Sequence, residues 1–308
     1  MPRMVCLLLV CCCLPLLVAC AAPTAAGEMQ TVRLNDLRPL PATPPAAVVP
    51  LRVAVAAVIS PRGNVESYTP LLNYLADKLN RPIEMVQRRT YAEVNDLLAA
   101  GQVDVAFVCT SAYVAGKQDF GMQLLAAPQV NGETVYYSYL IAPAGSPARS
   151  MTDLRGKVFA FTDPISFSGR VYPTSLVRGL GAEPESFFSR TFFTYSHDNA
   201  IHAVADGLAD GAGVDSLVYD FAVAREPALA PKIKVIQRSP PFGIPPVVVG
   251  PGIRPQLRSE LYDLLVGLYD APEGPAVLAE LGLDRFVPIA DAAYDSARQL
   301  TDGHVGAP

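Results

Sequence analysis

Cysteine and positive charge are both scarce in this 308-residue chain once its first twenty residues are set aside. Cys109 is the only cysteine beyond residue 20, which excludes an internal disulfide framework and a cysteine-based metal site. Lysines and arginines number 24 against 29 aspartates and glutamates, giving a net charge of −5. A chain of this balance lacks the basic face that neutralises phosphate backbones, so we expect no nucleic-acid partner.

The N-terminus carries an apolar run, Val5 to Ala19, preceded by Arg3. The run is shorter than the roughly 20 residues that a membrane-spanning helix needs, and a small residue followed by Cys20 ends it. We interpret residues 1–19 as a lipoprotein signal peptide and Cys20 as the lipidated first residue of the mature protein. Cleavage by the ordinary signal peptidase is the alternative. The body is then expected outside the cytoplasm, anchored to a membrane.

The segment that follows the leader is rich in alanine, proline and threonine. Such a composition cannot bury enough apolar surface for a core, so residues 20–50 are predicted to be a flexible linker. Strand and helix patterns begin at residue 51 and occur in two groups. The first group predicts strands over 51–56, 83–87 and 103–108, a loop over 60–64, a helix over 68–79, and a helix that starts with the capping box Thr90 to Glu93.

A second group of patterns starts near residue 150. It predicts strands over 158–161, 190–194 and 211–214, and helices over 170–180 and 199–207. Strands that alternate with helices predict right-handed α/β units with largely parallel sheets. The order predicts two α/β sandwich lobes joined by two crossing strands. Residues 51–137 form the first part of lobe 1, 138–240 form lobe 2, 241–300 return to lobe 1, and 301–308 are a tail.

Short motifs are distributed over the two predicted lobes. Lobe 1 contains Tyr91-Ala-Glu-Val and Gly101-Gln-Val-Asp-Val-Ala-Phe, and lobe 2 contains Ser150-Met-Thr-Asp-Leu-Arg-Gly-Lys, Asp163-Pro-Ile-Ser-Phe-Ser-Gly, Phe193-Thr-Tyr-Ser-His-Asp and Gly213-Val-Asp. In their order and spacing the chain resembles the phosphate-, phosphite- and phosphonate-binding proteins of ABC importers, over about residues 51–270. The resemblance implies a type II periplasmic binding fold that closes on a small oxyanion and presents it to an ABC permease in the membrane. It implies no metal or cofactor, and we expect a monomer.

The resemblance also implies ligand contacts, which lie at motif positions of this sequence. The anion contacts correspond to Tyr91, Ser166, Ser168, Gly169 and His197. The carboxylates that hold a ligand's amino group correspond to Asp198 and Asp215. Without an amine on the ligand, these carboxylates would repel an oxyanion unless one of them orients His197 or pairs with Arg170.

The segment 163–169 also favours an anion on physical grounds. The hydroxyls of Ser166 and Ser168 and nearby amides would converge at a helix N-terminus, where Gly169 would let a ligand approach the backbone closely. An ordinary helix cap is the alternative. Phe167 stands where the family commonly has another hydroxyl residue, so Arg170 would have to supply the missing donor. The ligand is expected to be a phosphonate, phosphite or phosphate, and Phe167 leaves open an oxyanion with an apolar or aromatic portion, or a carboxylate.

Lobe 1 would contribute the loop Cys109, Thr110 and Ser111 at the end of a strand, and Tyr91 and Tyr136 are the preferred aromatic contacts. Two alternatives keep the same fold. One is a sensor that presents its closed form to a membrane receptor. The other is an enzyme in which Cys109, His197 and one aspartate form a cysteine-type triad. We expect a binding protein and not an enzyme.

Overall fold

The structure is a computed structural model that describes residues 49–305. The signal peptide and Cys20, and the predicted linker up to residue 48, lie outside the described residues. Among the described helices, none is both long and apolar enough to cross a membrane.

Strands and helices alternate along residues 49–305 and are numbered here in chain order. The first part contains β1 (Leu51–Val55), α1 (Pro61–Leu79), β2 (Ile83–Val86), α2 (Tyr91–Ala99), β3 (Val105–Phe107), α3 (Thr110–Phe120) and β4 (Gln123–Gln129). The middle contains β5 (Val135–Tyr136), β6 (Ser138–Pro143), β7 (Val158–Phe161), α4 (Tyr172–Gly179), α5 (Pro184–Phe187), β8 (Arg190–Phe193), α6 (His197–Ala205), β9 (Gly211–Asp215), α7 (Ser216–Arg225) and β10 (Ile233–Arg238). The last part contains β11 (Phe242–Gly243), β12 (Val247–Val249), α8 (Pro255–Val266), α9 (Gly274–Leu281), β13 (Arg285–Val287) and α10 (Asp295–Val305).

Two mixed sheets define two lobes. Lobe 1 has the strand order β13-β4-β12-β3-β1-β2, and lobe 2 has the order β10-β6-β9-β7-β8. The neighbours of β1 and of β7 are parallel, whereas β12 and β6 run antiparallel to their neighbours. The prediction of largely parallel sheets is therefore correct only around β1 and β7. Parallel neighbours arise through helical crossovers, but β6 and β12 enter their sheets directly from the crossing strands.

The crossing strands β5 and β11 pair with each other in a separate antiparallel sheet, with Tyr136 opposite Phe242. The C-terminal part of lobe 1 packs against this hinge. The Tyr294 hydroxyl donates to the carbonyl of Ile244 at 2.9 Å, and its ring lies 4.7 Å from that of Tyr113. Helix α10 ends at Val305, so it includes residues 301–305 of the segment predicted to be a tail.

The starts of α2 and α1 are set by local capping signals in the sequence. The capping box of α2 is present: the Thr90 hydroxyl accepts from the Glu93 amide at 3.3 Å, and the Glu93 carboxylate accepts from the Thr90 amide at 2.9 Å. The loop predicted over 60–64 is wrong, because α1 begins at Pro61 with Ser60 as its N-cap. Proline at the first helical position needs no amide partner, so Ser60-Pro61 is itself a start signal.

A buried apolar cluster extends across both lobes and the hinge. It contains Tyr113 of lobe 1, Tyr136 and Phe242 of the hinge strands, and Phe167 of lobe 2. The Phe167 ring is fully buried and lies 4.6 Å from the ring of Phe242. The lobes are thus in direct contact, and Phe167 contributes to that contact through its side chain.

Gly169 was expected to let a ligand approach the backbone, and the structure corrects this expectation. A Cβ at Gly169 would lie 1.8 Å from Thr162 Oγ1 and 2.7 Å from its Cγ2, so the Thr162 side chain occupies that space. Gly169 is needed for the packing of two chain segments of lobe 2.

Gly169→Ala should therefore lower the free energy of unfolding, by about 1–3 kcal/mol or more, because the buried Thr162 side chain has little room to move. Urea denaturation of the purified domain measures the change. Gly145→Ala is the matched control, since no atom lies within 4 Å of its added Cβ. Equal effects of the two substitutions would show that the contact with Thr162 is not the reason for the glycine.

Candidate functional site

The turn between β7 and α4 lies where lobe 2 meets lobe 1. The Asp163 carboxylate accepts from the Ile165 amide at 2.9 Å and, across the lobes, from the Tyr91 amide at 3.1 Å. The Ser166 hydroxyl accepts from the Gly169 amide at 3.2 Å, which makes Ser166 the cap of the helical turn that follows. Ser166 therefore has the ordinary capping role that was the alternative to anion binding.

Three buried hydroxyls around this turn have no hydrogen-bond partner among residues 49–305: those of Tyr136, Thr162 and Ser168. None of these residues is more than 1% exposed. Leaving a buried hydroxyl unpaired costs about 1–3 kcal/mol, so such groups call for a functional explanation. Burial raises the pKa of Tyr136, and the hydroxyls of Thr110 and Ser168 lie close enough to oppose that shift. The Ser168 and Tyr136 hydroxyls are thus neighbours at the hinge, near enough to interact with each other but without a partner of normal hydrogen-bond geometry among the described residues.

His197 provides a further donor at this place. Its Nδ1 accepts from the Asp215 amide at 3.0 Å, and its Nε2 lies 3.5 Å from the Ser166 hydroxyl. Burial lowers the pKa of His197 to about 3, so the ring is neutral at neutral pH. A neutral imidazole that accepts at Nδ1 carries its hydrogen on Nε2. His197 therefore points an N–H towards Ser166 without carrying a positive charge.

Asp215 closes β9 and caps α7. Its Oδ1 accepts from the amides of Leu217 at 2.8 Å and Val218 at 3.4 Å, so the capping role proposed as an alternative from the sequence is present. Burial also raises the pKa of Asp215 to about 7. Near neutral pH this carboxyl is therefore partly protonated, which weakens its repulsion of a neighbouring anion.

Asp198 and Arg170 make contacts other than the ones predicted for them. Both oxygens of the Asp198 carboxylate accept from the Ser60 amide, at 2.9 and 3.0 Å, which ties lobe 2 to the start of α1. The Arg170 guanidinium lies 4.4 Å from the centre of the Phe161 ring and donates to the Thr174 hydroxyl at 2.9 Å. Arg170 thus packs on an aromatic side chain of β7, which corrects the expectation that it replaces the donor missing at Phe167.

The loop from Cys109 to Ser111 is hydrogen-bonded to lobe 2 and to the hinge. Cys109 Sγ accepts from the Phe167 amide at 3.4 Å, the Thr110 hydroxyl donates to the Gly243 carbonyl at 2.8 Å, and the Ser111 hydroxyl donates to the Ile165 carbonyl. Burial raises the pKa of the Cys109 thiol, which disfavours the nucleophilic thiolate.

The cysteine-type triad considered from the sequence is not assembled in this geometry. Both ring nitrogens of His197 face groups other than Cys109, and the Asp198 carboxylate bonds to the Ser60 amide. Tyr91 is fully buried beside Cys109, and its hydroxyl lies 3.5 Å from the Ala57 carbonyl. The residues that the structure brings together at the meeting of the lobes include several hydrogen-bond donors, among them the unpaired hydroxyls of Tyr136, Thr162 and Ser168.

A family model for the phosphonate periplasmic substrate-binding proteins of ABC transporters matches residues 53–294. The chain belongs to this family. It is therefore a substrate-binding protein of an ABC importer, which works outside the cytoplasm with a membrane permease, as the motifs indicated. A curated relative, the phosphate-import protein PhnD of Mycolicibacterium smegmatis, is 29% identical over 256 residues, covering 77% of this chain and 80% of the relative.

Solved structures of similar proteins confirm the fold of this family member. The binding component of an ABC phosphonate transporter from Pseudomonas aeruginosa has a TM-score of 0.77 and 23% identity, over 82% of this chain and 85% of that one. PhnD1 from Prochlorococcus marinus, in complex with methylphosphonate, has a TM-score of 0.75 and 15% identity, over 83% and 98%. The two-lobed type II periplasmic binding fold predicted from the sequence is confirmed.

Sequence reasoning missed Thr162 as a group at this site. Thr162 is the last residue before the Asp163 motif and follows directly on β7, a strand with parallel neighbours. The carboxyl ends of parallel strands are where ligands bind in open α/β sheets, so a polar residue there was a usable signal. The strand predicted over residues 158–161 ends one residue before Thr162, so the prediction did not include this side chain.

The Asp215→Asn substitution should change how the free energy of unfolding depends on pH. The folded-state pKa of about 7 lies above the ordinary value near 3.9, so the folded protein holds a proton that the unfolded chain releases between those values. The contribution of Asp215 to stability is therefore fully present below about pH 4 and is lost as pH rises to about 7. His197 has the opposite trend between about pH 3 and 6.5, which masks the effect in the native chain.

Asparagine keeps the cap of α7 without titrating. The free energy of unfolding of the Asp215→Asn variant, relative to the native chain, should therefore rise between pH 4 and pH 7 and level off above pH 7. The rise should be a few kcal/mol, measured by urea denaturation at one-unit steps of pH. A difference that is the same at every pH would show that Asp215 titrates normally.

Proposed function

We propose that the cleft between the lobes captures a phosphonate, phosphite or phosphate and delivers it to the ABC permease. The observation that carries this proposal is the group of donors at the meeting of the lobes: the unpaired hydroxyls of Tyr136, Thr162 and Ser168, and Nε2–H of His197, whose contact with the Ser166 hydroxyl is long at 3.5 Å. A tetrahedral oxyanion presents several acceptor oxygens and can accept from donors on several sides. Hydrogen bonds to a charged partner are about twice as strong as neutral ones.

The named ligands of similar proteins support this class. The relative from Mycolicibacterium smegmatis is named for phosphate import, and the Prochlorococcus marinus structure holds methylphosphonate. All of the proposed donors in this chain are neutral, so the anion would be held by directed hydrogen bonds. Tyr91 and the loop from Cys109 to Ser111 would close the lobe 1 side of the site.

Contacts between the lobes provide the mechanism of capture. Tyr91 to Asp163, Ser60 to Asp198 and Ser111 to Ile165 each join a group of lobe 1 to a group of lobe 2. They exist only while the lobes touch, and a ligand that satisfies the free hydroxyls adds stabilisation to that same state. Binding therefore shifts the population towards closed lobes, the form that a permease can distinguish from an open one.

A role in binding without catalysis is part of this proposal. It is supported by the buried, protonated Cys109 thiol and by the ring nitrogens of His197, which face Ser166 and the Asp215 amide. The protein is proposed to act as a monomer, tethered to the membrane by the lipidated Cys20.

Methylphosphonate, phosphite or phosphate should stabilise the mature domain in a thermal-shift titration, with sulfate and acetate as comparison anions. Ser168→Ala should weaken the bound oxyanion by about 1–3 kcal/mol in calorimetry, because it removes one free donor. Ser186→Ala is the matched control: this exposed serine donates to the Glu183 carbonyl, away from the hinge. Absence of binding to all phosphorus oxyanions, or unchanged affinity in Ser168→Ala, would contradict the proposed site.

Replacing Cys20 by serine tests the proposed anchor. The native protein should be found in the membrane fraction of the producing cells and should incorporate radiolabelled palmitate. Cys20→Ser should remove the label, because serine cannot form the thioether that carries the lipid. Cys109→Ser is the control and should keep it. Equal labelling of the native protein and Cys20→Ser would contradict lipidation at this residue.

A further inference from the structure

A cavity lies next to the proposed anion site and is not used by any of its donors. Its volume is about 140 Å³, close to the ~150 Å³ of a cavity that holds benzene. Most of its wall is apolar and comes from both lobes: Val58, Phe107 and Phe286 from lobe 1, and Leu217, Val218 and Phe221 from lobe 2. Any molecule inside it would contact both lobes at once.

Two polar groups in this wall are buried and unpaired. Within the part of the chain that the structure describes, Asn64 Oδ1 and Ser67 Oγ have no hydrogen-bond partner, and their residues are 1% and 2% exposed. The Asn64 amide nitrogen donates to the Ala56 carbonyl and to Gln87 Oε1, both at 3.2 Å, which fixes the amide and leaves Oδ1 as a free acceptor. Asn64 and Ser67 are three residues apart on α1 and so lie on one helix face. They are suited to one donor group in the cavity.

Asp215 connects the cavity with the anion site. Its side chain lines the cavity, while its amide donates to His197 Nδ1. The other ring nitrogen of His197 faces Ser166 in the anion site. His197 and Asp215 therefore lie between the two spaces. A substituent on a ligand held by its oxyanion in the first space would reach the second beside Asp215.

We propose that this cavity binds the organic substituent of the ligand, and that the ligand is an organophosphonate with an apolar body of about four to six carbon atoms and a terminal hydroxyl. This inference rests on the proposed function. Apolar walls stabilise the carbon atoms of the substituent. Its hydroxyl would donate to Asn64 Oδ1 and lie next to Ser67 Oγ, which pairs both buried groups.

An ammonium group fits this cavity less well than a hydroxyl. Asn64 and Ser67 are neutral, and Asp215 Oδ1 already accepts from two amides of α7. Burying a cation between phenylalanine, leucine and valine side chains is costly without full compensation by charged partners. A neutral donor loses much less on leaving water.

A ligand series tests the pocket by calorimetry on the mature protein: phosphate, methyl-, propyl-, butyl-, 4-hydroxybutyl- and 4-aminobutylphosphonate. Affinity should increase about three- to fourfold for each methylene from methyl- to butylphosphonate. The hydroxyl of 4-hydroxybutylphosphonate should add a further two- to tenfold. The aminobutyl compound should bind more weakly than the hydroxybutyl compound.

Variants of α1 locate the effect. Ser67→Ala should remove part of the gain from the hydroxyl, because the bond to Asn64 Oδ1 remains, and Ser67→Leu should also reduce the affinity for butylphosphonate by filling part of the cavity. Both should keep the native affinity for methylphosphonate, which also shows that they fold. Thr69→Ala is the control on the same helix, since this exposed hydroxyl donates to the Val65 carbonyl.

Equal affinities along the alkyl series, or tightest binding of phosphate or of the aminobutyl compound, would overturn the pocket and leave the proposed function standing. Native behaviour of both Ser67 variants towards the long ligands would also overturn it. No binding of any phosphonate or of phosphate would instead overturn the proposed function, and this inference with it.

Discussion

The site depends on the way in which the turn 163–169 of lobe 2 is hydrogen-bonded to lobe 1. Asp163 accepts from the Tyr91 amide, Ile165 accepts from the Ser111 hydroxyl, and the Phe167 amide donates to Cys109. These bonds satisfy the backbone of the turn from outside its own lobe. The hydroxyls that remain, above all those of Ser168 and Tyr136, are buried by the same contact and left without partners. One packing arrangement thus joins the lobes and creates the binding donors.

Burial also determines the charge of the site. It lowers the pKa of His197 so that the imidazole is a neutral donor, and it raises the pKa of Asp215 so that this carboxyl is partly protonated at neutral pH. The nearby guanidinium of Arg170 lies against Phe161. An anion bound here would be held by directed hydrogen bonds from neutral groups, an arrangement that depends on geometry more than on ionic strength.

The sequence could predict features that depend on neighbours along the chain. The capping box of α2, the strand 158–161 and the order of the two α/β units are local patterns, and the structure contains them. Asp198 and Arg170 could not be placed in this way. The partner of Asp198 is the Ser60 amide, 138 positions away, and the position of Arg170 depends on the aromatic residues of β7 and β8. The sequence did not indicate that Asn64 and Ser67 share a helix face, because α1 was expected to start seven residues later.

A crystal structure of residues 49–305 with methylphosphonate tests the central claim, that the free donors at the meeting of the lobes hold the oxyanion. The account predicts phosphonate oxygens within hydrogen-bond distance of the Tyr136 and Ser168 hydroxyls and of His197 Nε2, with the methyl group directed towards Asp215. A phosphonate bound elsewhere, or one bound in the cleft without a hydrogen bond to any of these three groups, would contradict it.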